Sequence, residues 1–322
     1  MGYEGVMVLC EQTGGKIHPI SFELLGKGRE IADKLGVRLS SVLLGYTVKD
    51  EAQELIRYGA DRVFVYDQRP DEISDVMCYK ETILNLIKLE MPEILLVGAT
   101  HFGRSIAPRI AAALETGLTA DCTDLIVDGQ GNLIQIKPSW TGNIYITTKT
   151  RPQMATIRYK AMKKIDRDNK RNGEIIENKA LFTSGAGPMI LGKKASRQVS
   201  ISDADVVVSA GRGLKKPEDF NIITALADAL GGVVGASRPI VDEGWIGKEH
   251  QVGFSGNIVR PRLYIACGIS GSPQHLAGMR DSRIIVAINK DRSAPICKVA
   301  DYCLVGDLYK IIPELIKQIK VA

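Results

Sequence analysis

Four continuous apolar runs stand in the first hundred residues: GVMVLC (Gly5–Cys10), LSSVLLG (Leu39–Gly45), RVFVYD (Arg62–Asp67) and EILLVGAT (Glu93–Thr100). None alternates strictly between apolar and polar, so neither face of such a strand is built to meet water. Strands buried on both faces belong to parallel sheets covered by helices on either side. The intervening segments supply those helices. SFELLGKGREIADKLG opens with Ser21 as a candidate N-cap and closes at Gly36; DEAQELIRYG (Asp50–Gly59) and a segment around Ser74–Leu89 follow.

After Ser200 the rhythm resumes. ADVVVSAGRG, VVGAS, RLYIACG, RIIVAIN and YCLVGD read as strands; PEDFNIITALADALGG, from Pro217 to Gly231-Gly232, and LYKIIPELIKQIKVA read as helices. The expected fold class is α/β, with two domains of mainly parallel, doubly wound sheets. Between the two stretches the pattern changes. Ala120–Ile157 carries shorter runs (NLIQIKP, NIYITTKT, ATIRY) around Asp128-Gly129 and Gly131-Asn132, which predicts an antiparallel hairpin region on the edge of the first sheet. Lys160–Lys179 is dense in charge, and TSGAGPMILGKKASRQ is rich in Gly, Pro and Ser. That composition predicts a linker, with a solvated strand as the alternative for part of it. The expected domains are 1–195 and 196–322.

Composition excludes several classes. The 42 Lys and Arg exceed the 37 Asp and Glu by only five, the basic residues are scattered, and aromatics are 6%, so no nucleic-acid stripe stands out. No apolar run nears the roughly 18 residues of a membrane span, and the first residues lack a signal-peptide pattern; the expected location is the cytoplasm. The six cysteines (Cys10, Cys78, Cys122, Cys267, Cys297, Cys303) form no C-x-x-C pair and read as reduced, buried thiols, with no zinc or iron–sulfur site.

In a parallel sheet all strand ends lie on one edge. Gly211-Arg212, Ser237-Arg238, Gly268–His275, Asn289 and Gly306-Asp307 should therefore converge on one crevice. Backbone N–H groups, two arginines, one histidine, hydroxyls, amides and one carboxylate suit a long ligand with a diphosphate, ribose hydroxyls and a heterocycle. They suit a metal poorly. GRG at Gly211–Gly213 is not a full dinucleotide fingerprint, because Leu214, Lys215 and Lys216 follow. No Ser/His/Asp order or G-x-S-x-G elbow marks a catalytic residue. In the first domain, His101, Gly103, Arg104 and Ser105 (HFGRS) stand either at a ligand position or in a plain turn with Ser105 as N-cap. Trp245 is expected to pack in a core or domain interface, and Asp242 and Glu243 to make partner or backbone contacts.

PRLYIACGISGSPQHLAGMRDSRIIVAINKDRSAPICKVADYCLVGDL resembles the signature region of the electron transfer flavoprotein alpha subunit. GRG, SRPIVDEGW and QVGFSG occur in that family's order, and EQTGGKIHPISFELLGKGREIADKLG and ILLVGATHFGRSIAPRIAAAL match its first half. The resemblance implies a C-terminal domain like the deoxyhypusine-synthase-like NAD/FAD fold, binding one FAD. It implies a heterodimer with the family's beta subunit, the first domain forming the interface. Electrons would pass to or from a flavin dehydrogenase such as an acyl-CoA or lactate dehydrogenase.

Site roles also follow from the resemblance. Arg212 would lie near the diphosphate and adenosine portion, with Ser270 and Gly271 giving close approach to phosphate and Ser272 also within the cofactor-binding set. Ser237 and Arg238 match the family's arginine turn over the flavin ring, and Ser255 the hydroxyl near N5. Gln274 and His275 match the pair at the pyrimidine edge, and Asn289 and Asp307 the AMP half. Gln251, Val252, Gly253, Phe254, Gly268 and Leu308 complete the implied set. Phe254 stands where many members carry Gln, and Pro273 where an aliphatic residue is common. His275 is expected as an imidazolium which, with Arg238, stabilises negative charge on reduced flavin. Likeness to anaerobic members leans toward the type that bifurcates electrons from NADH to ferredoxin and a second acceptor. HFGRS and TTKTRPQMATIRY would then face a second nucleotide. Two rivals are a non-redox adenine-nucleotide-binding protein and an NAD enzyme with a nucleophilic lysine, for which Lys290 is the nearest candidate.

Overall fold

A computed structural model describes residues 2–68, 76–139, 142–179 and 201–321. The chain forms two compact units, Met1–Lys193 and Lys194–Ala322. The expected boundary at 195/196, the TSGAGPMILGKKASRQ segment and the start of the third helix at Ser74 lie outside the described residues.

The first unit begins with β1 (Val6–Cys10), a small hairpin of β2 (Gln12–Thr13) and β3 (Lys16–Ile17), and helix α1 (Pro19–Leu35). Then come β4 (Leu39–Gly45), α2 (Ala52–Arg57), β5 (Arg62–Asp67), α3 (Val76–Glu90), β6 (Ile94–Gly98) and α4 (His101–Ala113). Strands β7 (Leu118–Cys122), β8 (Asp124–Val127), β9 (Leu133–Ser139), β10 (Gly142–Thr147), β11 (Gln153–Ile157) and β12 (Glu174–Glu177) complete it. The main sheet runs β12-β5-β4-β1-β6-β11-β7, with every pairing parallel. Its two faces carry separate cores. Val6 and Val8 join one, beneath Leu24 and Leu25 of α1; Met7 and Leu9 join the other, against Ile83 of α3 and Ile106 of α4. That is why the β1 run shows no polar alternation: successive side chains point to opposite faces, and both faces are dry.

Three local expectations change, and one stated alternative holds. His18, not Ser21, caps α1: its Nδ1 accepts from Ile20 N–H at 3.2 Å, while the buried Ser21 hydroxyl bonds the Glu11 backbone. Gly36 closes the helix as expected, at φ 67°. Thr100, not Ser105, caps α4, because its hydroxyl reaches Gly103 N–H at 3.0 Å one turn earlier. The antiparallel region is a separate sheet of β10-β9-β8, while the flanking β7 and β11 enter the main sheet in parallel. ATIRY is thus largely a buried central strand, not a hairpin arm. The alternative given for the charged segment holds: part of it is a strand, β12, paired with β5 at the sheet edge. Its exposed glutamates suit an edge strand, whose charges discourage further pairing.

The second unit contains β13 (Val206–Ala210), α5 (Phe220–Ala229), β14 (Val233–Ala236), α6 (Arg238–Asp242), β15 (Leu263–Cys267), α7 (Pro273–Leu276), β16 (Ile285–Asn289), α8 (Pro295–Val299), β17 (Tyr302–Val305) and α9 (Leu308–Val321). The sheet order is β14-β13-β15-β16-β17, again parallel throughout. Helices α5 and α9 cover one face through Ile223, Leu226 and Ile312, and Trp245 packs against that same core as expected. Cys297 and Cys303 form a disulfide, because the short α8 returns the chain so that their Cα atoms lie 5.4 Å apart. Reduced, buried thiols describe Cys10, Cys78, Cys122 and Cys267 only. Among the described residues no helix is long and apolar enough to cross a membrane.

Candidate functional site

Strand β13 starts the second sheet, β14 lies on one side of it and β15 on the other. Loops leaving β13 and β15 therefore diverge, opening a crevice at the carboxyl ends of the strands. A cavity of about 560 Å³ fills that position. Its volume falls within the usual range for small-molecule sites.

Two glycine turns make the crevice floor. Gly211 N–H donates to Cys267 O at 3.0 Å, and Gly213 N–H donates to Gly268 O at 2.9 Å. The backbones touch: a Cβ on Gly213 would lie 2.5 Å from Gly268 Cα, and one on Gly268 would lie 2.6 Å from Gly213 Cα. Gly268 also sits at φ +63°, the left-handed region that favours glycine. The small residues of GRG and CGISG are thus demanded first by one another, and their interlock fixes the loops around the cavity. Gly271, at φ +84°, repeats the device against Ile296 N at 2.5 Å.

Polar groups converge on this floor. Arg212 is exposed beside the cavity. Ser237, largely buried, ends β14, and Arg238 opens α6 with its side chain in the open. Arg238 Nε meets Asp242 Oδ2 at 3.1 Å, one turn on, and Asp242 also borders the cavity. Asp242 was expected to serve a partner or the backbone; its position at i+4 explains the guanidinium pair instead. The 251–255 loop enters the sheet edge through an Ala236–Gln251 bridge, and Gln251 Nε2 donates to Ser255 Oγ at 3.2 Å. Phe254 N–H donates to Gln274 O at 2.8 Å, while its ring is 58% exposed. Position 254 thus contributes a backbone contact that any residue could make, and Phe in place of Gln leaves that brace intact. Ser272 caps α7, and Pro273 occupies its first turn, where a missing N–H costs nothing.

His275 is 5% exposed, with Nε2 3.0 Å from the hydroxyl of Tyr264 and no hydrogen-bond partner at Nδ1. Burial pushes its pKa down to about 4, with the Val252 backbone opposing that shift. The expected imidazolium belongs to the site with reduced flavin beside it; the shift to about 4 is that of the ring among protein groups alone. The protein's own surroundings make this ring neutral at pH 7, because desolvation outweighs every group that would favour the cation.

All of the flavin set implied by the resemblance line this cavity except Asn289, Asp307 and Leu308; Gly211 and Gly306 of the expected crevice and His101, Gly103, Arg104 and Ser105 of the first unit are not in its lining. Asn289 Nδ2 donates to Ile269 O at 2.9 Å, bracing a loop that does line it. Asp307 accepts from Tyr309 N–H and pairs with Lys290 at 3.1 Å, both of which hold its carboxyl below the usual range. Lys290 is thereby an exposed ion-pair partner, with nothing of a buried nucleophile about it. Leu308 is buried, with Cδ2 against the position a Cβ on Gly268 would take. Sequence reasoning missed Pro239 and Asp242 at the cavity. It also missed Tyr264, whose signal was a phenol inside the apolar run LYIAC.

Comparison with known proteins agrees with this geometry. Residues 6–181 match the model of the electron transfer flavoprotein domain, and residues 200–280 that of the electron transfer flavoprotein FAD-binding domain. This chain belongs to the electron transfer flavoprotein alpha family. Curated relatives include the electron transfer flavoprotein subunit alpha of Thermoanaerobacterium thermosaccharolyticum, 49% identical over 99% of this chain and 98% of that one. The corresponding subunit of Megasphaera elsdenii is 47% identical over 99% and 97%. Subunit LctC of the lactate dehydrogenase (NAD(+),ferredoxin) of Acetobacterium woodii is 41% identical over 99% of this chain and 77% of its own length. An electron transfer flavoprotein carries electrons on FAD, and the cavity residues fit that group. Glycine backbones give close approach, two guanidinium groups offer charge to a diphosphate and a reduced ring, and His275 Nδ1 has an unmet valence. Among the described residues no cluster fits a metal ion.

Proposed function

We propose that the chain holds one FAD along the carboxyl edge of the second sheet and passes electrons between a flavin dehydrogenase and further redox partners. The reading rests on one observation above all: interlocked glycine turns, two arginines and a buried neutral imidazole share a single cavity. Arg212 and the Ser270–Ser272 backbone would take the diphosphate. Arg238, Ser255, Gln274 and His275 would meet the isoalloxazine, and Asn289 and Asp307 the AMP half. Bound FAD supplies the redox chemistry; the protein orients it and sets the field around it. Arg238 acts as a fixed cation. Its exposed pair with Asp242 is worth only about 0.3–0.5 kcal/mol, so the guanidinium is readily redirected.

A beta subunit would pair with residues 1–195. Edge strand β10 offers apolar surface there, with Ile144 47% and Tyr145 64% exposed. The dehydrogenase would be of the acyl-CoA or lactate class. Resemblance to the NAD(+),ferredoxin-linked relative favours a bifurcating complex using NADH and ferredoxin. The test is co-production with the beta subunit and an absorbance count of FAD. Flavin is expected in the wild-type complex and in reduced amount in Arg212→Ala. A colourless wild-type complex, or full flavin in the variant, would overturn the site reading. Bifurcation predicts that NADH reduces ferredoxin only when the second acceptor is also present.

A further inference from the structure

Strand β15 buries a phenol completely: Tyr264 is 0% exposed, within an apolar cluster that includes Val207, Val252 and Ile285. A buried hydroxyl needs a partner, and His275 Nε2 lies 3.0 Å away. The Ser209 hydroxyl, on the neighbouring strand β13, is the other polar group acting on the phenol. Burial keeps Tyr264 protonated. A phenol is a better donor than acceptor, and a bare imidazole nitrogen is a strong acceptor. The favourable arrangement is O–H donating to Nε2.

That arrangement fixes the rest of the ring. A neutral imidazole whose Nε2 accepts must carry its proton on Nδ1. The Val252 backbone points the same way: it favours the charged form of the ring, as an acceptor would. Nδ1 nevertheless has no hydrogen bond of good geometry, in a residue that borders the cavity. The ring is thus a buried donor short of an acceptor, and an electron-rich carbonyl or ring nitrogen of a heterocycle is the acceptor it lacks. The opposite tautomer would present a lone pair and repel the same group.

We propose that Tyr264 is a positioning residue, its phenol holding His275 in the Nδ1–H tautomer so that a neutral imidazole offers an N–H, not a lone pair, to the electron-rich edge of the ligand. The inference rests on the reading that His275 borders the flavin, and its test separates the two claims. Only four histidines occur in the chain: His18, His101, His250 and His275. With 15N-histidine in the flavin-stripped full chain, long-range proton–nitrogen correlation reads each ring, and His275→Asn assigns the signal. Wild type is expected to show a pyrrole-type Nδ1 and a pyridine-type Nε2 at His275. Tyr264→Phe is expected to lose that pattern, both nitrogens moving toward averaged shifts. A pyrrole-type Nε2 in wild type overturns the proposal without any variant, as does an unchanged pattern in a folded Tyr264→Phe. In the flavin-loaded complex, His275→Asn is expected to shift the reduction potential. An unmoved potential would remove the role toward the flavin, whatever the tautomer.

Discussion

The two parallel sheets of this chain use their edges in opposite ways. In the first unit the switch point lies between β1 and β6, and the chain fills it with its own groups. Glu11 follows β1 there, 7% exposed, and its Oε2 accepts from the Thr100 hydroxyl at 2.7 Å. Helix α4 sits so close above β6 that Gly103 packs on Gly98 O. A cavity of about 500 Å³ in this unit lies at the strand starts, among Gly5, Val6, Ser40 and Arg62. In the second unit the carboxyl edge is open, floored by glycine turns and lined with cations. Among the described residues, one architecture thus carries an open, arginine-lined edge in one unit and a Glu11–Thr100 hydrogen bond at the switch point in the other. The difference lies in a few loop residues and not in the fold.

The largest expected effect comes from closing the open edge. Gly213→Val places side-chain atoms where Gly268 Cα already stands, and should abolish flavin binding, with near-native far-UV circular dichroism for the helices. Retained flavin would mean that the interlock does not shape the site. Glu11 comes next. Burial raises its carboxyl from 4.5 to about 7, against the Thr100 hydrogen bond. The folded state therefore holds a proton that the unfolded state releases between these values. Stability from this group is full below pH 4.5 and is lost as pH rises through about 7, by on the order of 3 kcal/mol at most. Glu11→Gln should remove that slope, so the variant gains on wild type in urea melts at pH 8 relative to pH 5. It should also leave the FAD of the second unit's crevice unchanged, since Glu11 belongs to the first unit. Parallel melts of the two proteins at both pH values would contradict the shift.

A smaller loss is expected from Arg212→Ala. Removing one charged hydrogen bond costs about 1–3 kcal/mol, roughly a 5- to 150-fold rise in the Kd for FAD measured by fluorescence titration. An unchanged Kd would place the guanidinium away from the diphosphate. The smallest effect belongs to Asp242→Ala. The pair with Arg238 is exposed at i,i+4, so stability should change by less than about 0.5 kcal/mol. The flavin's reduction potential should rise, because Arg238 loses its competing anion. A fall in potential would mean that Asp242 orients the arginine productively.

Much of this contrast was legible in the sequence, for definite reasons. Unbroken apolar runs such as VMVLC and LYIAC can only be two-sided, and they announced both parallel sheets. Strand ends of a parallel sheet share an edge, so Arg212, Ser237 and Gly268–His275 could be placed together before any distance was known. Charge states were not legible. His275 was expected as an imidazolium beside reduced flavin, and nothing in its motif showed that burial lowers the pKa of the ring among the protein's own groups. The caps failed similarly: Ser21 and Ser105 are good N-cap residues, but His18 and Thr100 reach the first free N–H groups sooner. Strand β12 was legible only as an alternative to a linker, because edge pairing with β5 leaves its glutamates exposed and its segment dense in charge. The Cys297–Cys303 bond depended on the turn of α8, which spacing alone does not reveal.

The most direct measurement is a crystal structure of the flavin-loaded complex with the beta subunit, read at one place. The account predicts FAD density along the carboxyl edge of β13 and β15, with the diphosphate at Arg212 and the Ser270–Ser272 backbone. The isoalloxazine should lie within hydrogen-bond reach of His275 Nδ1. Density for that flavin elsewhere, with Gly211–Gly213 and Gly268–His275 touching only protein, would contradict it.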